Sequence, residues 1–300
     1  MDRCMESVKN QTFTDFEVIL VDDGSTDASL SVLESFAAAD ERFRAVSHGE
    51  NRSLLCARYT GMKEAKGERI VFVDSDDFIE TDTLETLHDE LVKNPVDVIR
   101  MGVIAEPVGV KVNPPGVEDI LGGFFDGKFP PQIVTNCISA EMAKRAVEEI
   151  TPFYCNSGED TFMAGTLYAY AKSFTMLQKP LYHYVIVGGM SREHEDMSLE
   201  KLARIKGSLD NCFDGLMKFI EKNAPAYLEK CRAACNSMYK YEICHFVLNA
   251  RDERQAVEFL ERFDEPGLSE AFEYGCREVL AEFYKRRSGG EADMVTFCCF

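Results

Sequence analysis

The 300-residue sequence lacks three features that would each indicate a particular class of protein. It has no C-x-x-C pair and no His or Cys set spaced for a tetrahedral site, which argues against structural zinc. Its 11 cysteines are better explained as buried free thiols of a reduced protein. It has no apolar run of 18 or more residues and no signal-peptide pattern. We therefore predict a cytoplasmic protein without a transmembrane segment, and peripheral association with the inner face of a membrane stays open.

Basic residues are scarce relative to acidic ones. The chain has 33 Lys and Arg against 52 Asp and Glu, which gives a formal net charge of −19. A charge this negative argues against nucleic acid or an anionic membrane surface as a broad partner. A phosphate-bearing substrate is still compatible with it, because a bound cation can reverse the local field.

Strands and helices alternate through the first two-thirds of the chain. Predicted strands cover 16–21, 43–47, 70–73 and 96–103, and predicted helices cover 54–65, 84–92, 137–150 and 160–171. This order predicts an α/β fold with a doubly wound, mostly parallel sheet. Residues 107–131 are rich in Gly and Pro, which indicates loops with an edge hairpin. From about Met197 only helices are predicted, near 200–222, 228–249, 253–263 and 270–286. We therefore expect a domain at 1–192 and a helical region at 193–300.

The strand that begins at Ile70 ends in three carboxylates within four positions, Asp74, Asp76 and Asp77. Ligands bind beyond the carboxyl ends of such strands, and crowded carboxylates repel one another unless a hard cation lies among them. Mg²⁺ and Mn²⁺ are commonly held by one or two carboxylates plus substrate phosphates. The pattern predicts a metal–diphosphate site. The alternative is a solvated turn, with Thr81 capping the next helix.

Asp22 and Asp23 end another predicted strand, and Gly24 suits the tight turn that follows. A carboxylate at this position can accept hydrogen bonds from a nucleobase N–H or a ribose hydroxyl. Turn chemistry together with a favourable helix-dipole contact explains the same two residues equally well.

Two further residues could take part in chemistry. Arg58 lies on a predicted helix that could direct its guanidinium at a diphosphate, although an exposed arginine paired with a surface acid is an equal alternative. Asp160 follows Gly158 and Glu159 and could be the general base for an acceptor hydroxyl. The alternative there is structural, with Ser157 capping a helix whose first turn holds both acids.

In combination these motifs resemble the inverting family-2 glycosyltransferases with the GT-A fold, and the resemblance runs from Met1 to about Met190. It rests on several motifs in the same order. These are Asn10-Gln11-Thr12-Phe13, Phe16 to Asp27, Glu50-Asn51, Ala57-Arg58, Gly61, Ala65-Lys66-Gly67, Val73 to Asp77, Gly158-Glu159-Asp160 and Leu181 to Tyr184.

The resemblance implies a role for each matching position. Asp22 or Asp23 would contact the uracil and ribose of the nucleotide, with Arg58, Asp74 and Ser75 also on the donor side. Asp76 would be the main ligand of Mn²⁺ or Mg²⁺, with Asp74 beside it, and Asp160 would be the catalytic base. His183 could approach the diphosphate or metal, but a structural role is favoured. The implied reaction transfers a sugar from a nucleotide donor, UDP by preference, to a glycan or lipid-linked acceptor with inversion.

Two departures from the family pattern stand out. Family members normally begin with an apolar strand that ends in a Pro-x-Tyr/Phe-Asn turn, whereas this chain starts inside the helix that should follow. We expect that missing strand to leave its neighbours' edges exposed. Tyr59 also stands where the family usually has Asn. These departures keep open an inactive remnant that acts as a binding or scaffold protein. A metal-dependent phosphotransferase and a sugar nucleotidyltransferase are disfavoured by the residues after Asp76 and by the absence of a Gly-rich phosphate loop.

Overall fold

The computed structural model describes residues 1–186 and 198–248, together with residues 254, 255 and 258. The helices are α1 (Asp2–Lys9), α2 (Ser29–Ala39), α3 (Leu54–Glu64), α4 (Thr83–Lys93), α5 (Ile120–Phe125), α6 (Ala140–Glu149), α7 (Glu159–Tyr170), α8 (Leu199–Asn223) and α9 (Leu228–Leu248). The strands are β1 (Val18–Asp22), β2 (Phe43–Ser47), β3 (Arg69–Val71), β4 (Phe78–Ile79), β5 (Val98–Glu106), β6 (Val110–Val112), β7 (Asn136–Ser139) and β8 (Phe174–Val185). Short 3₁₀ turns cover Ile133–Thr135 and Pro225–Tyr227.

The strands form two separate sheets. Strands β1 and β2 pair in parallel, with Asp22 opposite Ser47, and the larger sheet has the order β3-β7-β5-β8-β4 with β6 on β5. Among the described residues, β1 pairs only with β2 and β3 only with β7, so each has one unpaired edge. Several residues of both strands are half-buried, as at Ile19 and Val71. Each of these two edges is therefore able to pair with a further strand.

The predicted α/β class and the helices after residue 197 are confirmed, but the sheet is not mostly parallel. In the larger sheet only β5 and β8 pair in parallel, and the remaining pairs are antiparallel. The strands that pair in the antiparallel sense, β4, β6 and β7, are only two to four residues long. Strand β6 follows β5 after a short turn, a connection that favours antiparallel pairing. The predicted edge hairpin is present as β5 and β6.

The segment predicted as one helix over 137–150 divides at Ser139. Its first residues form β7, which lies between β3 and β5, and α6 begins at Ala140. The Ser139 side chain caps this helix by accepting from the backbone N–H of Met142. Helix α5 lies within residues predicted as loop. The helices predicted at 253–263 and 270–286 fall almost entirely outside the described residues.

The C-terminal helices α8 and α9 share one apolar core with the α/β part. Leu209, Phe213 and Leu216 of α8 belong to the same buried cluster as Leu55 of α3 and Phe162 of α7. The predicted boundary at 192 falls between the two described ranges and stays a prediction. Among residues 1–186 and 198–248, no helix combines the length and apolar character needed to cross a bilayer.

Tyr59, which stands where the family usually has Asn, lies in the apolar core. It is 4% exposed, and its hydroxyl has no hydrogen-bond partner among the described residues. An unpaired buried hydroxyl costs about 1–3 kcal/mol. We therefore expect Tyr59→Phe to keep or raise the melting temperature in thermal unfolding. Tyr182→Phe is the matched control, because the Tyr182 hydroxyl has two partners and its loss should lower the melting temperature.

Candidate functional site

The acidic loop after β3 is fixed by Asp77. The buried Asp77 carboxylate accepts from the Tyr182 hydroxyl at 2.7 Å and from the backbone N–H of Val185 at 2.7 Å. The same Tyr182 hydroxyl accepts from the backbone N–H of Asp74 at 3.2 Å. Burial raises the pKa of Asp77 to about 6. Asp77 therefore ties the loop to β8, and Asp74 and Asp76 remain as the candidates for metal binding.

Asp76 and Ser75 are exposed at the tip of this loop, and Asp74 is half-buried behind them. No group of three or more His, Cys, Asp or Glu side chains in the described part of the chain is arranged to hold an ion. A Mg²⁺ or Mn²⁺ ion that is completed by substrate phosphates needs only one or two carboxylates. An exposed Asp76 beside Asp74 fits an ion of that kind, but it does not fit a cage made by the protein alone.

Asp22 and Asp23 both have partners within the chain. Asp22 is 3% exposed and accepts from the Ser25 backbone N–H and the Ser47 hydroxyl. Burial opposes ionisation of Asp22, but these hydrogen bonds outweigh it and lower its pKa. Asp23 accepts from the backbone N–H groups of Arg52 and Ser53 at 2.9 and 2.8 Å. The contacts fit the structural alternative for both residues, and the nucleotide role stays a prediction.

Gly24 is required at the turn after Asp23. Its φ is +74°, and a Cβ there would lie 2.4 Å from the backbone carbon of Glu50. Only glycine avoids that overlap, and a left-handed φ is also unfavourable for other residues. The turn and the 48–53 loop are therefore packed backbone to backbone.

His48 is a residue of this region that the sequence reasoning did not identify. Its Nδ1 lies 2.7 Å from Asp23 Oδ1, and its Nε2 lies 2.8 Å from the Thr60 hydroxyl. Asp22 pairs with Ser47 at the ends of β1 and β2, so the residues that directly follow the two strands, Asp23 and His48, come close together. The parallel pairing of these two strands, once known, is the signal that points to His48. His48 thus connects the Asp23 turn to α3.

Ser53 holds an unfavourable backbone conformation directly before α3. Its φ and ψ are 94° and 158°, in a region that is populated almost only by glycine and costs about 1–3 kcal/mol for other residues. We expect Ser53→Gly to raise the free energy of unfolding by about 1 kcal/mol, because it removes this strain. Denaturant titration measures the effect. Ser53→Ala keeps the strain and loses only a hydroxyl contact of 3.5 Å to Phe153 O, so equal gains from both variants would contradict the explanation.

Helix α7 presents Glu159 and Asp160 in its first turn. Its N-cap is Gly158 at a φ of 85°, with no capping hydrogen bond, so the predicted Ser157 cap is not formed. Burial raises the pKa of Asp160 and of Glu159, while the charge of Arg58 opposes the shift in both. The Asp160 side chain is 29% exposed and that of Glu159 is 13% exposed. Asp160 is therefore the more accessible of the two to an acceptor.

Arg58 joins the acidic loop to α7. Its Nη1 lies 2.6 Å from Asp160 Oδ1, and its Nη2 lies 3.2 Å from Asp74 Oδ1. Its side chain is 6% exposed, so it is not an exposed arginine paired with a surface acid, which was the alternative from the sequence. The structure thus brings Asp74 and Asp160 to opposite sides of one guanidinium.

His183 has a structural setting. Its ring stacks on Phe78 at 4.0 Å, and its two nitrogens lie 2.9 Å from Glu106 Oε1 and 3.1 Å from Glu80 Oε1. Every polar atom of the ring therefore faces a glutamate, which agrees with the structural role favoured from the sequence.

Relatives among known proteins match the same part of the chain. EpsH of Bacillus subtilis (strain 168), a protein named as a glycosyltransferase, is 31% identical over 199 residues, covering 61% of this chain and 56% of EpsH. Glycosyltransferase GlyA of Streptococcus pneumoniae serotype 4 is 40% identical over 96 residues, covering 32% of this chain and 14% of GlyA. The chain thus spans little more than half the length of EpsH and a smaller part of GlyA.

Solved structures show the same fold. The crystal structure of S. aureus TarS 1-349 in complex with UDP-GlcNAc superposes with a TM-score of 0.53 at 19% identity, covering 96% of this chain and 88% of TarS 1-349. The mannosyltransferase PcManGT from Pyrobaculum calidifontis, in complex with GDP-Man and Mn²⁺, gives 0.54 at 16% identity, covering 97% and 84%. At these identities the likeness establishes the GT-A fold alone, as the resemblance implied.

A family profile covers most of the candidate residues, although Asp160 lies beyond the matched range. The profile described as Glycosyl transferase family 2 matches residues 1–150, which is half of the chain. The match includes the Asp22-Asp23 turn, Arg58 and the acidic loop at Asp74 to Asp77. The chain belongs to glycosyl transferase family 2.

Proposed function

We propose that the protein transfers a sugar from a nucleotide donor, UDP by preference, to a glycan or lipid-linked acceptor, with inversion and with help from a divalent metal. The observation that carries this proposal is the convergence of Asp74 and Asp160 on Arg58. A carboxylate that could act as a general base therefore lies beside a loop that could hold a metal-bound diphosphate. Family membership adds to the proposal.

The donor side would be formed by Asp22, Asp23, Asp74 and Ser75. Each of these turns follows the carboxyl end of a strand, β1 for Asp22 and Asp23 and β3 for Asp74 and Ser75, and α/β sheets bind nucleotides beyond such ends. TarS is solved with UDP-GlcNAc, and PcManGT with GDP-Man and Mn²⁺, so a nucleoside diphosphate sugar is the donor class that both neighbours support.

Asp160 would act on the acceptor. It removes the proton from an acceptor hydroxyl as that oxygen forms its bond to the anomeric carbon. The bond to the diphosphate breaks on the opposite face, so the configuration inverts and the nucleoside diphosphate leaves. Mn²⁺ or Mg²⁺ on Asp76 and Asp74 would supply positive charge to the diphosphate.

A panel of nucleotide sugars tests the proposal. The protein is screened for thermal stabilisation by each donor with Mn²⁺, and stabilising donors are then assayed for transfer to glycan and lipid-linked acceptors. NMR of the product reports the anomeric configuration. Stabilisation without transfer to any acceptor would support the alternative of an inactive binding protein, which the comparisons do not favour. A product with retained configuration would contradict the inverting mechanism.

The setting of the reaction is also part of the proposal. We place it in the cytoplasm, at or near the inner face of a membrane, where a lipid-linked acceptor would be reached. The net charge of −19 makes broad electrostatic attraction to anionic lipid unfavourable. Any association with a membrane would therefore depend on the acceptor or on a protein partner.

A further inference from the structure

Arg58 is shared between two carboxylates that come from distant parts of the chain. Nη1 donates to Asp160 at 2.6 Å, and Nη2 lies 3.2 and 3.3 Å from the two oxygens of Asp74. Glu159 is more distant, at 3.8 Å from Nη1. Both terminal nitrogens of the guanidinium are therefore occupied by groups of the protein, and Nε has no partner within the described part of the chain.

The guanidinium is the counter-charge of this acidic cluster. Its burial disfavours the charged form, but the carboxylates around it raise its pKa, so Arg58 remains a cation. The two effects have opposite signs for Asp160: burial raises its pKa, and the charge of Arg58 lowers it. Removing this cation would leave two half-buried carboxylates, Asp74 and Asp160, without this positive partner, which is costly in a partly desolvated site.

The planar shape of the guanidinium suits this double contact. An arginine presents donors in a rigid fork, so it can hold one carboxylate on each terminal nitrogen. A lysine is a point charge on a flexible stem and would hold one carboxylate at a time. Helix α3 is itself anchored at its start, where Leu54 N donates to Asn156 Oδ1 and Ser53 N donates to Asp23. The guanidinium of Arg58 therefore extends from a helix whose first residues are held by hydrogen bonds.

We infer that Arg58 is a positioning residue that fixes the carboxylate of Asp160 at a set distance and orientation from Asp74. This inference rests on the proposed function and gives Arg58 a role toward the base, in place of the direct contact with the diphosphate predicted from the sequence. The two roles differ in the kinetic parameter that they control. Misplacing a base lowers kcat, whereas losing a diphosphate ligand raises the donor KM.

Steady-state kinetics with a donor that the thermal screen identifies separate these roles. Arg58→Ala should lower kcat by at least about 100-fold, within the usual contribution of general-base catalysis, and leave the donor KM within about threefold. Arg58→Lys should lose less, about tenfold in kcat, because it keeps one contact. Added guanidinium chloride at millimolar concentration should restore part of the kcat of Arg58→Ala. The matched control is Arg44→Ala, which removes a half-buried arginine of β2 that pairs with Glu64 at the end of α3. A large rise in donor KM at unchanged kcat, or unchanged kinetics, would overturn the inference.

Thermal unfolding tests the same contact without any turnover. The melting temperatures of Arg58→Lys, Asp160→Asn and the double variant form a cycle, in which coupled residues give a combined shift smaller than the sum of the single shifts. We expect such non-additivity, and none between Arg44→Ala and Asp160→Asn. If the wild type transfers no sugar, the proposed function fails while the cycle still decides the inference. Additive shifts would overturn it even if the enzyme is active.

Discussion

The Asp160→Asn variant is expected to lose about 100- to 10,000-fold in the rate of sugar transfer, the usual contribution of a general base. The amide keeps the shape of the side chain and an oxygen that can still accept from Arg58, which lies 2.6 Å away in the wild type. It cannot take a proton. No atom on the donor side changes, so the stabilisation by the donor with Mn²⁺ should be retained. Single-turnover transfer and thermal shift with the same donor measure the two effects.

Glu159→Gln is the informative companion to this variant. Glu159 is the neighbouring acid in the same turn of α7, but its side chain is less exposed and lies 3.8 Å from Arg58. We expect a smaller loss of transfer from it than from Asp160→Asn. Asp126→Asn serves as the control for an aspartate in a surface ion pair, here with Lys230. A larger loss from Glu159→Gln than from Asp160→Asn would assign the base to Glu159, and transfer by Asp160→Asn at the wild-type rate would contradict the role of Asp160.

The candidate residues could be predicted from sequence because each one follows a local pattern. A β-branched run that ends in Asp74 to Asp77 predicts both a strand and a group of carboxylates at its carboxyl end. The same reasoning located Asp22 and Asp23 at the end of β1. The strand itself is shorter than the apolar run suggests, because β3 ends at Val71 and the next residues already belong to the loop.

The partners of these residues could not be predicted. Asp77 is held by Tyr182, 105 positions later, and Arg58 holds Asp160 across 102 positions. Such contacts depend on which strands and helices are neighbours, and a one-dimensional pattern contains no information on sheet order. From the sequence Asp77 was therefore predicted only to lie near the metal site, whereas its burial and its hydrogen bonds to β8 give it a structural role.

Short strands explain the errors in the sheet. Strand β4 contains two residues and β6 three, so neither shows a period that could be distinguished from a loop. Strand β7 precedes α6 directly, and its apolar residues merge with the helical pattern. For this reason the helix predicted over 137–150 included most of the residues of β7. Long elements with clear periodicity, such as α3, α7 and α8, were placed within about two residues.

The Asp76→Ala variant is expected to lose the part of UDP binding that depends on Mn²⁺. Asp76 is exposed, and its side chain makes no hydrogen bond or ion pair within the described residues. Replacing it should therefore change the stability of the ligand-free protein by less than about 0.5 kcal/mol. Asp74 alone would remain near the ion, and it is already engaged with Arg58 at 3.2 Å. Isothermal titration of UDP, with and without Mn²⁺, measures the difference directly.

The control for this variant is Asp82→Ala, which removes a nearby carboxylate that pairs with Lys179 at the surface. It should leave the Mn²⁺ dependence of UDP binding unchanged, because no phosphate is expected there. Binding of UDP by Asp76→Ala that still strengthens with Mn²⁺ would assign the ion to other ligands. Wild-type binding that is equally strong in EDTA would instead mean that the diphosphate is held without a metal. In that case the positive charge near it must come from the protein, for example from Arg58, whose Nη2 lies 3.2 Å from Asp74 Oδ1.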